Sequence, residues 1–200
     1  MNKQLIIKKA SELEFNPRPA LSQIFVEAWY DVLKMLCKNQ VKLNKAFEHI
    51  FQLDKFYVAI CDGEILSSIA LSNRENQSRV IHLDKKELQK HLGFFRGMLI
   101  YTILHKELIK TDYAIDIPKT TGVIEFVATA KSARGQGLAG KLIAYAMQTN
   151  HFNEYLLEVA DNNQSAIKLY QRLGFSQFHQ EKSKRNPKLT GFEYMLYMRR

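Results

Sequence analysis

The chain has 200 residues, 46% hydrophobic and 24% charged, with a formal net charge of +9. That length suits one domain able to bury a full core without disulfide or metal staples, and no apolar run approaches the roughly 18 residues of a membrane span. The positive charges fall in small clusters (Lys8-Lys9, Lys85-Lys86, Lys182 to Arg185, Arg199-Arg200), without the aromatic-interleaved block of a nucleic-acid groove. They fit a solvated surface or attraction of a small polyanion, so neither nucleic acid nor membrane is an expected partner. Met1 to Ala10 lacks a long apolar segment and a small-residue cleavage site, and Cys37 and Cys61 show no metal-ligand spacing. The expectation is a cytoplasmic protein with reduced core thiols.

Leu5-Ile6-Ile7 predicts a first strand, and Asn16-Pro17-Arg18-Pro19 a turn, since proline restricts itself and its predecessor. From Ala20 to about Lys38, Leu21, Ile24, Phe25, Ala28, Val32, Met35 and Leu36 recur at helical spacing, and a weaker helix covers Leu43 to Phe51. Phe56 to Cys61 and Ile65 to Leu71 read as a hairpin turning at Asp62-Gly63. Asp84 followed by Glu87 resembles a capping box opening a helix that runs toward Lys110, interrupted near Gly93 and Gly97, and Pro118 stops what precedes it. Gly122 to Ala130 is a buried-strand run. A glycine-rich loop follows, then a helix over Leu138 to Thr149, a strand over Tyr155 to Val159, and a helix over Ser165 to Leu173 closed by Gly174. Phe175 to His179 and Phe192 to Met198 are the last strands. The second half is therefore α/β with an antiparallel end.

The glycine loop admits several readings. Gly135, Gly137 and Gly140 satisfy the dinucleotide fingerprint G-x-G-x-x-G, and with Lys141 they nearly satisfy the P-loop. Arg134, Gly137 and Ala139 satisfy Q/R-x-x-G-x-G/A, a coenzyme A loop. Each reading uses backbone N–H groups at a helix N-terminus to meet phosphate. Leu142 stands where a P-loop needs Ser or Thr for magnesium. The dinucleotide reading has in its favour Glu158, 18 residues after Gly140, as a ribose acid; against it, only 60 residues follow Gly140, too few for the rest of a doubly wound sheet. A tight strand-to-helix turn that binds nothing is the remaining alternative.

Downstream, Asn163 to Phe175 reads N-x-x-A-x-x-L-Y-x-x-x-G-F. Together with Arg134 to Ala139, this segment resembles the GNAT family of N-acetyltransferases over about Gly122 to Phe175. The resemblance implies a mixed, mostly antiparallel α/β sheet with splayed central parallel strands flanked by helices, in a single domain over 1–200 carrying a helical insertion at about 79–119. It implies acetyl-CoA as acyl donor and no metal. Backbone groups around Val127, Ala128 and Thr129 would bond the pantetheine arm, and N–H groups of Gly135, Gln136, Gly137, Leu138, Ala139 and Gly140 would cradle the pyrophosphate beside Arg134. Asn163 would reach the pantetheine, or simply cap its helix. Tyr170 would donate to the leaving thiolate, its alternative being a plain core tyrosine.

An amine must lose a proton before it attacks a thioester, so a base is sought. Glu125 lies in the apolar run Val123-Ile124-Glu125-Phe126-Val127, where partial desolvation would raise its pKa; an ion pair or an outward side chain is the other option. The acceptor would be a small-molecule or protein amine. The segment from Arg79 to Lys119, with Phe94, Phe95, Arg96, Tyr101 and Tyr113, would shape its site or serve as a homodimer face. A CoA-binding sensor without catalysis is the competing function.

Overall fold

The computed structural model describes residues 4–73, 80–106, 115–183 and 191–200; Arg79 and Tyr113 of the expected acceptor segment lie outside them. A seven-stranded sheet runs in the order β1-β2-β3-β4-β5-β7-β6. Its strands are β1 (Leu5–Lys9), β2 (Phe56–Cys61), β3 (Glu64–Ser72), β4 (Thr121–Thr129), β5 (Glu154–Ala160), β6 (Ser176–Lys182) and β7 (Tyr194–Arg199). All neighbours pair antiparallel except β4 and β5, which are parallel. The mixed sheet with a central parallel pair is the expected fold, and its antiparallel end rules out the doubly wound dinucleotide topology.

Helices cover both faces. On one lie α1 (Arg18–Leu33), α2 (Gln40–Phe47), α3 (Lys85–Leu92) and α4 (Phe94–Leu104), joined to the sheet by a core that includes Leu21, Phe25, Phe47, Phe56, Leu88 and Ile100. On the other, α5 (Leu138–Thr149) and α6 (Gln164–Arg172) bury Leu142, Ile143 and Tyr170 against Ile124, Leu157 and Met198. Cys37 and Cys61 are free and buried, as expected.

α1 begins at Arg18, before the expected Ala20, because Pro19 sits in the first turn, where its missing N–H costs nothing. Asp84 caps α3, its Oδ1 accepting from the N–H groups of Lys86 and Glu87 at 2.7 and 3.3 Å. The expected double interruption is single. The chain breaks at Gly93, with φ +85°, whereas Gly97 is inside α4 where a Cβ would stand 2.5 Å from the Gln89 Cα. Gly97 is thus a close-packing residue between helices and not a breaker.

β4 carries the irregularity that shapes the centre of the sheet. Ser68 pairs with Ala128 and Ala70 with Glu125, so Phe126 and Val127 together face Ile69, a β-bulge. Phe126 takes φ +50°, a conformation costing about 1–3 kcal/mol for a residue of this kind. Its ring offsets that cost by packing against Phe25, Trp29 and Phe56, with centroids 6.2, 5.9 and 6.3 Å away. Pairing of β4 with β5 runs only from Thr121–Glu154 to Ile124–Leu157. Past that point the two strands no longer pair with each other, β4 staying paired with β3 as far as Thr129 and β5 with β7 as far as Ala160.

Candidate active site

The open end of the β4–β5 gap is where the motif residues gather. Just beyond β4, Lys131–Ala133 form a short 3-10 turn, and the chain passes through Arg134 into Gly135 and Gly137, with φ +78° and +76°. A Cβ on either glycine would meet nothing within 4 Å, so backbone conformation and not crowding requires them. Gly137 caps α5 without a side-chain hydrogen bond. The N–H groups of Leu138, Ala139 and Gly140 therefore open α5 with no carbonyl of their own helix to bond, at the positive end of its dipole. Gly140 matters for packing instead, since its Cβ position lies 3.2 Å from Leu169 Cδ1, which sets the close approach of α6. Leu142, at the would-be magnesium position, is fully buried in the core.

Arg134 and Gln136 are partly committed to shaping the loop. Arg134 Nε donates to the Thr129 carbonyl at 3.2 Å, and Gln136 Nε2 donates to the Ser132 carbonyl at 3.3 Å. On β4, the Ala128 carbonyl accepts from Ser67 Oγ at 2.8 Å, and Ala130 N–H donates to Leu66. Residues 128 and 130 therefore address β3, and the Thr129 carbonyl between them is taken by Arg134. Asn163 Oδ1 accepts from Ala166 N–H at 3.2 Å and from Ser165 Oγ at 3.0 Å, so its capping role is present.

The carboxylates collect on the face that also carries α1 to α4. Glu125 Oε2 accepts from Ser72 Oγ at 2.9 Å. One strand over, Glu158 is the first β5 residue beyond the last paired position, as Glu125 is on β4. Glu158 pairs with Tyr197 of β7, which in turn pairs with His179 of β6. Glu158 is exposed to solvent, yet surrounded closely enough by protein to be desolvated. Desolvation, reinforced by the negative charges of Glu125 and Glu181 and opposed by a hydrogen bond from Tyr197, pushes its pKa up to about 7. On the sequence Glu158 stood only as a ribose acid; the signal that finds it is its register beside Glu125, which no linear pattern displays. Tyr170 lies on the opposite, helix-covered side, 5% exposed, and burial pushes its hydroxyl up to about 12.

The expected acceptor elements are dispersed. Phe94 and Phe95 stack edge-on at 5.4 Å on the outer side of α4, exposed by 63% and 84%, while Tyr101 turns inward beside His105. Among the described residues no group of three or more His, Cys, Asp or Glu could hold a metal ion, and no helix is long and apolar enough to cross a membrane.

Comparison with known proteins bears on the same segments. The model of the acetyltransferase (GNAT) family matches residues 18–175. A 5-NmdU N-acetyltransferase of Pseudomonas phage PaMx11 is 34% identical over 87 residues, 44% of this chain and 54% of that protein. The chain thus aligns with about half the length of that relative. Among solved structures, an N-acetyltransferase from Staphylococcus aureus Mu50 superposes with a TM-score of 0.63 at 17% identity, covering 98% of this chain and 100% of the other. A ribosomal-protein-alanine N-acetyltransferase from Brucella melitensis does so with a TM-score of 0.57 at 16% identity, covering 98% of each. At such identities the structural likeness speaks for the fold.

Proposed function

The chain belongs to the acetyltransferase (GNAT) family, and from that premise we propose that it moves an acetyl group from acetyl-CoA to a primary amine of a small molecule or a protein, with Glu158 as the proton acceptor. The observation that carries this reading is the end of β4–β5 pairing at Ile124 and Leu157. It opens a gap with the glycine loop at one end and two carboxylates, Glu125 and Glu158, at its root.

In this reading the acetyl-CoA pyrophosphate rests on the N–H groups of Gly135 to Gly140, beside the Nη groups of Arg134. The pantetheine arm runs along β4, bonded by the backbone of Val127 and the N–H of Thr129, with the Ala128 side of the strand held by β3. Asn163 acts by fixing the start of α6, and hence Tyr170. The acceptor arrives as an ammonium ion. A carboxylate near 7 is a better base toward an alkylammonium, of pKa about 10.4, than an ordinary glutamate near 4.5. Glu158 takes one proton, the amine nitrogen bonds the acetyl carbon, and the C–S bond breaks with its electron pair leaving on sulfur, the second nitrogen proton passing to the departing thiolate. Glu125, which accepts from Ser72 Oγ, is assigned to orienting the amine or a bridging water.

Tyr170, at about 12, is a weaker acid than a thiol of about 8.5. It serves the leaving group as a hydrogen-bond donor to the thiolate and not by full proton transfer. Its elevated pKa keeps that hydroxyl protonated throughout the working range.

The test is calorimetric titration with acetyl-CoA, followed by thiol release with benzylamine, spermidine, a peptide bearing a free α-amino group, and 5-NmdU, the last chosen from the phage relative's name. Saturable binding with turnover on an amine supports the reading, and absence of acetyl-CoA binding overturns it. Binding without turnover on any amine favours the sensor. Glu158→Gln is expected to lower kcat by about 10²-fold or more and to remove the rise of kcat/KM as pH passes about 7, with acetyl-CoA affinity unchanged.

A further inference from the structure

α1 holds β4 at two places, one on each side of the stretch assigned above to the pantetheine arm. At the first, Phe25 and Trp29 pack on Phe126, the residue of positive φ in the bulge. At the second, Glu27 Oε2 accepts a hydrogen bond from the backbone N–H of Lys131 at 3.1 Å, across 104 residues of sequence. Glu27 is itself steadied by Gln23, one turn earlier on α1, whose Nε2 lies 3.5 Å from Oε1. Trp29 and Glu27 thus bracket Val127, Ala128 and Thr129.

Lys131 opens the 3-10 turn that leads to Arg134 and Gly135, and this turn has no side-chain cap of its own from its N-cap residue, Ala130. An alanine there cannot accept the orphan N–H groups that every helical start presents. Glu27 supplies from another element an acceptor for the first of these N–H groups. The Thr129 carbonyl is meanwhile occupied by Arg134, so the path from β4 to the glycine loop is tied at its start by α1 and at its middle by Arg134.

We propose that Glu27 is a positioning residue for the acyl donor: by capping the Lys131 turn from α1, it sets the place of the glycine loop relative to β4. Glu27 touches no reacting atom. It makes donor affinity depend on the seat of a helix whose Phe25 and Trp29 pack on the bulge at the root of the gap. The inference rests on the acetyl-CoA reading given above.

The experiment compares wild type with Glu27→Gln, Glu27→Asp and Glu27→Leu by acetyl-CoA calorimetry, thermal melting and amide hydrogen exchange at Lys131. Gln keeps an oxygen at the same reach, Asp keeps the charge but falls short, and Leu keeps helix propensity and volume. The expected result is Gln near wild type, and Asp and Leu both weaker for acetyl-CoA by about 3- to 10-fold, the worth of one such hydrogen bond. Faster exchange at Lys131 should accompany the loss, with melting temperatures of all variants within a few degrees. Equal affinity in wild type and Leu overturns the positioning role. So does Asp behaving as wild type while Gln loses affinity, which would make charge and not reach the cause. A fall in affinity that appears only with a large loss of melting temperature also overturns it, since that is a structural role alone. Failure of wild type to bind acetyl-CoA overturns instead the functional reading on which the inference stands.

Discussion

The two halves of the molecule solve the same problem, satisfying polar backbone at element ends, in different ways. In the second half, from β4 to β7, the solutions are mostly local. Gly135, Gly137 and Gly174 take positive φ within the turns that need it, and Asn163 caps the helix it precedes. The first half has local caps at Asn39 and Asp84 and adds solutions that reach across the chain. Arg18 Nη1 donates to the carbonyls of Glu48, His49 and Phe51, His49 Nε2 accepts from Asp84 N–H, and Glu27 bonds Lys131. Local solutions leave motifs; distant ones leave isolated polar residues on helices. That difference explains why the glycine loop and the Asn163 helix are recognisable on the sequence and a contact such as Glu27 to Lys131 is not.

Breaking the local side should have the largest effect. Gly137→Val places a β-branched residue at φ +76°, costing about 1–2 kcal/mol or more in backbone strain, and puts a side chain in the open space above the loop. Loss of acetyl-CoA affinity by at least about 100-fold is expected, measured by calorimetry on folded protein. Affinity within a factor of a few of wild type would remove the loop from the donor site.

Next in size is Tyr170→Phe. The donor to the thiolate is lost while the buried ring stays, so kcat should fall by about 10- to 100-fold with little change in acetyl-CoA affinity. An unchanged kcat would make Tyr170 a core residue only, and would erase the link between α6 and the chemistry.

A smaller effect sharpens the contrast between function and stability. The folded pKa of Glu158, about 7, lies above its ordinary value of 4.5. A raised carboxyl binds its proton more tightly in the folded state. It therefore adds no penalty below about pH 4.5, and destabilises the fold progressively as pH rises through about 7. Glu158→Gln should accordingly be more stable than wild type at pH 8, by on the order of 1 kcal/mol after allowance for solvent screening, and equal to it at pH 4.5. Melting curves at the two pH values check this; equal stability at pH 8 would count against the raised pKa. Smallest and most local is Asn163→Ala, expected to cost about 1 kcal/mol through the lost cap on α6, read as a lower melting temperature.

Element boundaries were largely legible. The hairpin at Asp62-Gly63, the cap at Asp84 and the order of elements from Gly122 onward all follow from short-range chemistry, and the structure has them. Gly97 is the instructive exception. A glycine in a helical pattern reads as a breaker, but here it is present because the Gln89 backbone lies against it, a tertiary contact that spacing does not encode. The same holds for Phe126, an ordinary strand residue by its neighbours in the chain. Its positive φ follows from the register slip against β3 and from the rings of Phe25, Trp29 and Phe56 that receive it.

By itself the sequence determined the donor chemistry in outline: glycines where only glycine takes the backbone conformation, a helix start without side-chain cap, and an Asn-led helix carrying Tyr170. These are properties of a few consecutive residues, and consecutive residues are what a sequence states. Tertiary structure decided which carboxylates stand side by side where the parallel pairing ends. Glu125 and Glu158 are 33 positions apart; the Ser72 hydroxyl donates to one, and desolvation raises the pKa of the other. A carboxyl group's basicity is a sum over its surroundings, and those surroundings exist only once β3, β4, β5 and β7 lie side by side.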